Sequence, residues 1–153
     1  MGLPLAFLAA TVLVGLTAAL ALAHLARWPS RRGPPTPPVT RVQRAMRRYG
    51  VLFALVETGA LVALLIVLFS LPAGSAEMWL VGIAAVCMAF MIGLWAAFLR
   101  PLNATMAEWE PEALPEDWAH HHARWTTYHR LRLTLAVIAI TLLLMGLFAR
   151  PAR

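Results

Sequence analysis

The sequence contains no lysine and only seven acidic residues, and charged residues make up 13% of its 153 positions. So little charge excludes the polar surface of an ordinary soluble domain, while hydrophobic residues reach 61%. This composition is typical of an integral membrane protein. The net charge of +6 comes entirely from arginine. In a chain this apolar, basic residues indicate membrane orientation rather than nucleic-acid binding.

The usual signatures of catalysis and metal binding are also absent. A single cysteine, Cys87, excludes an internal disulfide and is predicted to be a small packing residue. There is no HExxH pattern, phosphate loop or nucleophile–base pair. The histidines at 120–122 point about 100° apart around a helix, and His122 and His129 are separated by about 10 Å. A metal would need ligands from other helices, so we predict no metal site.

Four apolar runs are long enough to cross the ~30 Å hydrocarbon core of a bilayer. They lie at about 3–26, 49–71, 78–99 and 131–148. The first could be a signal peptide, because residues 21–23 resemble a cleavage site, but no basic residue precedes it and we predict a retained span. The sequence therefore predicts a single all-α domain over 1–153, an integral membrane four-helix bundle.

Two long connections separate these spans. Residues 29–39 are rich in proline and are expected to form an extended linker of the polyproline type, after which Thr40 can cap the second helix. Residues 100–130 are expected to form a solvated loop and an extension of the last helix into the cytoplasm. On the third span, small residues recur every four positions and predict a groove for another helix, formed by Ala85, Ala89, Gly93 and Ala97.

Arginine is distributed unevenly between the two sides of the membrane. The two long connections carry ten arginines, whereas the C-terminal tail carries two and the 72–77 turn none. The positive-inside rule predicts that both long connections face the cytoplasm and both termini the opposite side, in the plasma (bacterial inner) membrane.

Polar side chains gather in the cytoplasmic half of the predicted bundle. Residues 118–132 contain no proline or glycine, so a helix begins near 115–117 and continues into the last span. Steps of four and three residues place five side chains on one face of it: Trp118, His122, Trp125, His129 and Arg132. Glu57 lies roughly 12 Å inside the second span, and Asn103 follows the third.

Depth therefore predicts a cluster of Glu57, Asn103, His129 and Arg132. An unpaired carboxylate at the depth of Glu57 is costly, and Arg132 is long enough to reach it. Two interpretations of that ion pair stay open, a structural pair that sets helix register and part of a functional pocket. Likewise, Trp118 and Trp125 could simply form an interfacial aromatic belt.

Two short motifs resemble a known family. Pro101-Leu102-Asn103 follows the third span, and Arg124-Trp125 precedes His129 and Arg132 at the entrance to the fourth. Over roughly residues 40–148 the chain resembles the anthrone-oxygenase-like family of small four-helix membrane proteins, a domain-of-unknown-function family. The resemblance implies a candidate pocket and the oxidation of anthrones to anthraquinones without a metal, flavin or other cofactor.

Two functions follow as hypotheses. The first is a cofactor-independent oxygenase for a flat, apolar phenol or anthrone that enters from the bilayer. His129 would be the base and Arg132 and Asn103 would stabilise the anion; the substrate would be bound by Glu57, Trp125, Trp118 and His122. The alternative is a non-enzymatic accessory or structural subunit of a larger membrane complex. Transport is disfavoured, because there is no inverted repeat.

The predicted partners are the lipid bilayer, an apolar aromatic small molecule, and a membrane protein or a second copy of the chain. Nucleic acid is not among them.

The predicted orientation can be tested by cysteine labelling in intact cells. A membrane-impermeant reagent should modify Ala152→Cys and leave Ser30→Cys unmodified, because the C-terminus is predicted outside and the 27–48 connection inside. Modification at position 30 without modification at 152 would show that the orientation is inverted.

Overall fold

The computed structural model describes residues 2–26, 37–110 and 113–148, with the backbone alone at 2, 24 and 37–51. These residues form five α-helices and a five-residue π-helical turn, Trp95–Leu99, that joins the third helix to the fourth. The helices are α1 Gly2–Ala26, α2 Pro37–Ser70, α3 Ala76–Leu94, α4 Arg100–Ala107 and α5 Trp118–Phe148. The all-α prediction is confirmed.

Four segments are long and apolar enough to cross a membrane: Leu3–Ala23, Leu52–Ser70, Ala76–Ala107 and Trp118–Phe148. The third comprises α3, the π turn and α4 as one continuous helical rod. Large apolar side chains cover the outside of these segments, with Phe69 83% and Phe148 82% exposed. Such a surface is stable only against lipid, so the chain is an integral membrane four-helix bundle.

The four spans pack as a ring. Each helix lies beside two neighbours, in the order α1, α2, α3, α5 and back to α1. Within the described residues, α2 and α5 are therefore opposite each other across the diagonal of the bundle. We call the end with the 27–36 and 108–117 connections the loop end, and the end with residues 71–75 the turn end.

The turn end is closed by a short connection with local reasons for its shape. Gly74 has a φ of +78°, a left-handed conformation that glycine adopts at little cost. Ser75 then caps α3, because its side-chain oxygen accepts a hydrogen bond from the Met78 N–H at 3.2 Å. This turn sets α2 and α3 antiparallel and side by side.

An apolar core fills the bundle between the turn end and its middle. Its largest fully buried side chains come from all four spans, among them Phe7, Leu64, Met88 and Leu143. Gly146 lies where α5 meets α1, since a Cβ built there would stand 3.2 Å from the ring of Phe7. Close packing here makes the turn end the rigid base of the bundle.

The π turn has a cause in the sequence. Pro101 has no N–H to donate to Ala97, and its ring would clash with that carbonyl in a regular α-helix. The helix widens by one residue instead, and the Arg100 N–H bonds to the Trp95 carbonyl five residues back. Contrary to the sequence prediction, the chain then continues as α4 to Ala107 rather than entering a solvated loop at residue 100.

Helix α2 begins at Pro37, so the last residues of the predicted 29–39 linker are helical. Proline is compatible with the first helical turn, where its missing N–H would have had no partner. Thr40 consequently lies inside the helix and does not cap it. Residues 27–36, the rest of the predicted linker, and the side chains of the α2 arginines lie outside the described part of the chain.

The predicted small-residue groove on α3 is wrong. Ala85 is buried, but Ala89, Gly93 and Ala97 are exposed on the outer surface. A four-residue repeat advances 400° per step and drifts by 40° around the helix. The core face is instead formed, at steps of three and four, by Val81, Ala84, Met88, Met91 and Leu94, four of which are larger than alanine.

Two glycine substitutions should distinguish a position packed against another helix from a position on the open surface. Gly146→Leu should lower the free energy of unfolding by about 1–3 kcal/mol or more, because the added side chain collides with Phe7. Gly93→Leu is the matched control and should be tolerated, since a Cβ there meets no atom within 4 Å. Thermal unfolding in detergent measures both, and equal losses would show that Gly93 is packed against another helix.

Candidate functional site

A buried ion pair crosses the diagonal of the bundle. Arg132 on α5 donates a hydrogen bond from Nη2 to Oε1 of Glu57 on α2. Both residues are only 7% exposed. The predicted contact is confirmed. Long side chains are needed here because α2 and α5 lie diagonally opposite and do not pack side by side.

The pair lies level with the start of the π turn. Leu68 packs against Gly82, and each helix rises about 1.5 Å per residue. Counting equal numbers of residues from that contact toward the loop end, along both helices, shows that Glu57 on α2 and Gly93 on α3 lie at the same level. Counting in the same way from the contact between Gly146 on α5 and Leu80 on α3 shows that Arg132 and Leu94 also lie at the same level. The π turn that follows α3 therefore borders the charged layer.

Arg132 has more donors than its partner uses. Its Nε atom is buried and has no hydrogen-bond partner among the described residues. A guanidinium group carries five N–H donors and no acceptor. A buried donor left without an acceptor costs about 1–3 kcal/mol. Arg132 therefore keeps a buried donor for which no described residue is an acceptor.

A second group of contacts lies one to two turns closer to the loop end. Trp125 on α5 donates a hydrogen bond from Nε1 to Oδ1 of Asn103 on α4, at 2.9 Å. The ring centroids of Trp125 and His129 are 4.1 Å apart. Trp125 is 3% exposed and His129 6%. The bond to Trp125 orients the Asn103 amide, whose two N–H groups are donors for an anion.

Apolar side chains enclose this second group. Trp125 is buried together with Leu99, Leu102 and Met106, which come from the π turn and α4. Nearby, Phe98 stacks on Tyr128 with their ring centroids 5.0 Å apart. This wall was not predicted from the sequence, because residues 100–130 were expected to form a loop and an extension of the last helix. Pro101 within an apolar helical pattern was the available signal for an irregular but continuing helix.

Trp118 and His122 extend the row of rings toward the loop end. The centroid of His122 is 6.3 Å from that of Trp125 and 6.4 Å from that of Trp118. Both residues are half-buried, so they lie at the partly exposed end of the row rather than at its buried centre. His121 is on a different face, where Asp117 is its partner at 3.3 Å. The one-face prediction for residues 118–132 thus matches the described contacts.

No group of three or more histidine, cysteine, aspartate or glutamate residues suited to a metal ion occurs within the part of the chain that the structure describes. The donors present are instead suited to an organic anion. Arg132 offers N–H groups in a fixed plane, and Asn103 offers an amide. Glu57 and His129 can accept a proton. Because the surroundings are apolar, each of these electrostatic interactions is stronger than in water.

The fold and this site together define a class, a four-helix integral membrane protein with a buried polar site in the half of the bundle toward the loop end. The family model described as anthrone oxygenase matches residues 43–142, and the chain belongs to that family. The matched segment includes Glu57, Asn103 and residues 118–132. Comparisons with curated proteins and with solved structures found no match.

Removing one charge of the diagonal pair should be worse than removing both. Glu57→Gln and Arg132→Gln should each lower the free energy of unfolding by about 3–5 kcal/mol, because each leaves a buried charge unpaired. The double variant should lose clearly less than the sum of the two losses. Chemical unfolding in detergent measures all three.

Arg130→Gln is the matched control, since Arg130 lies on the same helix but is exposed. It should change the free energy of unfolding by less than about 0.5 kcal/mol. Additive losses in the Glu57–Arg132 cycle would contradict the pairing.

Proposed function

We propose that the protein is an oxygenase that converts an anthrone-type substrate to a quinone without a metal or flavin. The substrate is a flat, apolar molecule with a CH2 group opposite a carbonyl on its central ring. The overall reaction joins this CH2 group and one O2 to give a second carbonyl and one water. The carbon loses four electrons and O2 gains them, so no other oxidant is required.

The first chemical step is the removal of a CH2 proton, which leaves an electron-rich enolate that reacts with O2. The enolate carries its charge on the carbonyl oxygen, so catalysis needs N–H donors at that atom and a base at the opposite carbon. Arg132 and Asn103 provide the donors. Two groups of the site can accept the proton, the imidazole of His129 and the carboxylate of Glu57.

The single observation that carries this proposal is the buried Nε–H of Arg132, which has no acceptor among the described residues. An enolate oxygen would satisfy it. Stabilising an anion at a preorganised buried donor is usually the largest contribution an enzyme makes to such a step.

The surroundings suit a flat aromatic molecule from the membrane. Trp125, Tyr128 and Phe98 present rings close to the polar groups, and aromatic molecules pack on such rings in offset or edge-on arrangements. Phe98 is 43% exposed on the outer surface of the bundle. We infer that the substrate enters sideways from the lipid at the level of the π turn.

Oxygen consumption tests this function directly. Wild-type protein in lipid nanodiscs should oxidise 1,8-dihydroxyanthrone faster than protein-free nanodiscs, using one O2 for each anthraquinone formed. Arg132→Lys keeps the positive charge beside Glu57 but lacks the guanidinium donors, so kcat should fall about 100-fold. Arg130→Lys, the exposed matched control, should keep wild-type activity.

No oxygen consumption above the protein-free rate would contradict the proposal, as would full activity of Arg132→Lys. The alternative function, an accessory subunit of a membrane complex, is favoured by one observation: Ala89 and Gly93 leave a shallow strip on the exposed face of α3. A stoichiometric partner that co-purifies in mild detergent, together with an inactive protein, would support that alternative.

A further inference from the structure

We infer that Glu57, rather than His129, takes the proton from the substrate, and that the substrate binds by separating the Glu57–Arg132 pair. This inference rests on the proposed function and assigns the base within it. Its basis is the number of charges that the buried layer can hold.

Among the described side chains, the charged layer contains one anion, Glu57, and one cation, Arg132, and both are almost completely removed from solvent. When a neutral substrate becomes an enolate, a second anion appears beside Arg132. Two anions sharing one buried cation repel each other strongly. If Glu57 accepts the substrate proton, the layer again contains one anion, the enolate, and one cation, Arg132.

The alternative base creates more buried charge. If His129 took the proton, the layer would hold two cations and two anions at once, and each additional buried ion carries a large desolvation penalty. Among the described side chains of α1 and α3, no titratable group lies at this level; the side chain of His24 on α1 lies outside the described residues.

Geometry favours the same assignment. Glu57 and Arg132 come from helices on opposite sides of the bundle. The carbonyl oxygen and the reactive CH2 of an anthrone are on opposite sides of its central ring. A substrate inserted between the two residues therefore places its oxygen toward Arg132 and its CH2 toward Glu57.

The remaining steps balance with Glu57 as the only proton carrier. The enolate carbon transfers electrons to O2 and a C–O bond forms, giving a substrate peroxide anion that takes the proton back from Glu57. Glu57 then removes the second C–H proton as the carbonyl forms and the O–O bond breaks. The departing hydroxide takes that proton and leaves as water, so no proton has to cross the apolar core.

The inference predicts proton uptake when an anion binds in place of the enolate. The probe is anthracene-9-carboxylate, a flat molecule with a fixed charge on its central ring. Calorimetry in two buffers of different ionisation enthalpy should show about one proton taken up per probe bound to wild-type protein in nanodiscs. The affinity of the wild-type protein for the probe should fall about tenfold for each unit by which the pH is raised, because binding is coupled to the uptake of one proton. Neutral anthraquinone should bind without proton uptake.

Three variants identify the residue that accepts this proton. Glu57→Gln should bind the probe at least tenfold more tightly than wild type, with no proton uptake, and should not consume oxygen. His129→Gln should still take up about one proton. If Glu57→Gln does not fold, Glu57→Asp should retain the uptake and the pH dependence.

Proton uptake that persists in Glu57→Gln, or disappears in His129→Gln, would overturn the inference and make His129 the acceptor, leaving the oxygenase proposal intact. An unreactive wild-type protein that also fails to bind the probe would overturn both.

Discussion

The Glu57–Arg132 pair is the interaction on which the polar half of this bundle depends. On the surface of a protein such a pair contributes little, because water competes for both charges. Here the two residues come from diagonally opposite helices and are sealed by apolar neighbours. Each charge makes the burial of the other tolerable, and neither can leave without a large energetic penalty. The pair therefore fixes how α2 and α5 are rotated about their axes.

The rest of the site is organised by its position relative to that pair. His129 and Trp125 lie one and two turns along α5 from Arg132 and face the same side. Trp125 holds Asn103 of α4 by a hydrogen bond. Asn103 is within reach because α3 does not stop at Leu99. The π turn caused by Pro101 carries the chain onward as α4, and α4 covers the site with Leu102 and Met106. A backbone irregularity thus supplies both a wall and a donor.

This division between a rigid base and a polar half suits catalysis from the membrane. The apolar core toward the turn end is closely packed, and among the described residues no charged side chain belongs to it. The charged layer begins where that packing ends. In the reaction proposed above, a substrate in the lipid would reach this layer without crossing the bundle, and oriented donors rather than water would hold the anion.

Hydropathy and spacing in the sequence determined the four spans, the continuous last helix, and the residues of the site, because these features are local. A run of apolar residues must be helical in a bilayer, and steps of three and four place Trp118, His122, Trp125, His129 and Arg132 on one face. The depth of Glu57 and the length of Arg132 were also enough to predict their contact.

Only the tertiary structure decided which helices are neighbours and which face each other across the diagonal. The α3 stripe illustrates the limit: Ala89 and Gly93 have suitable spacing for a groove, but Met88 and Met91 occupy the core face and turn the small residues outward. Pro101 within an apolar pattern indicated an irregular helix, but the packing of α4 against Trp125, which stabilises the helix beyond the proline, is visible only in the tertiary structure. Interactions between distant segments, unlike hydropathy, depend on the whole arrangement of the bundle.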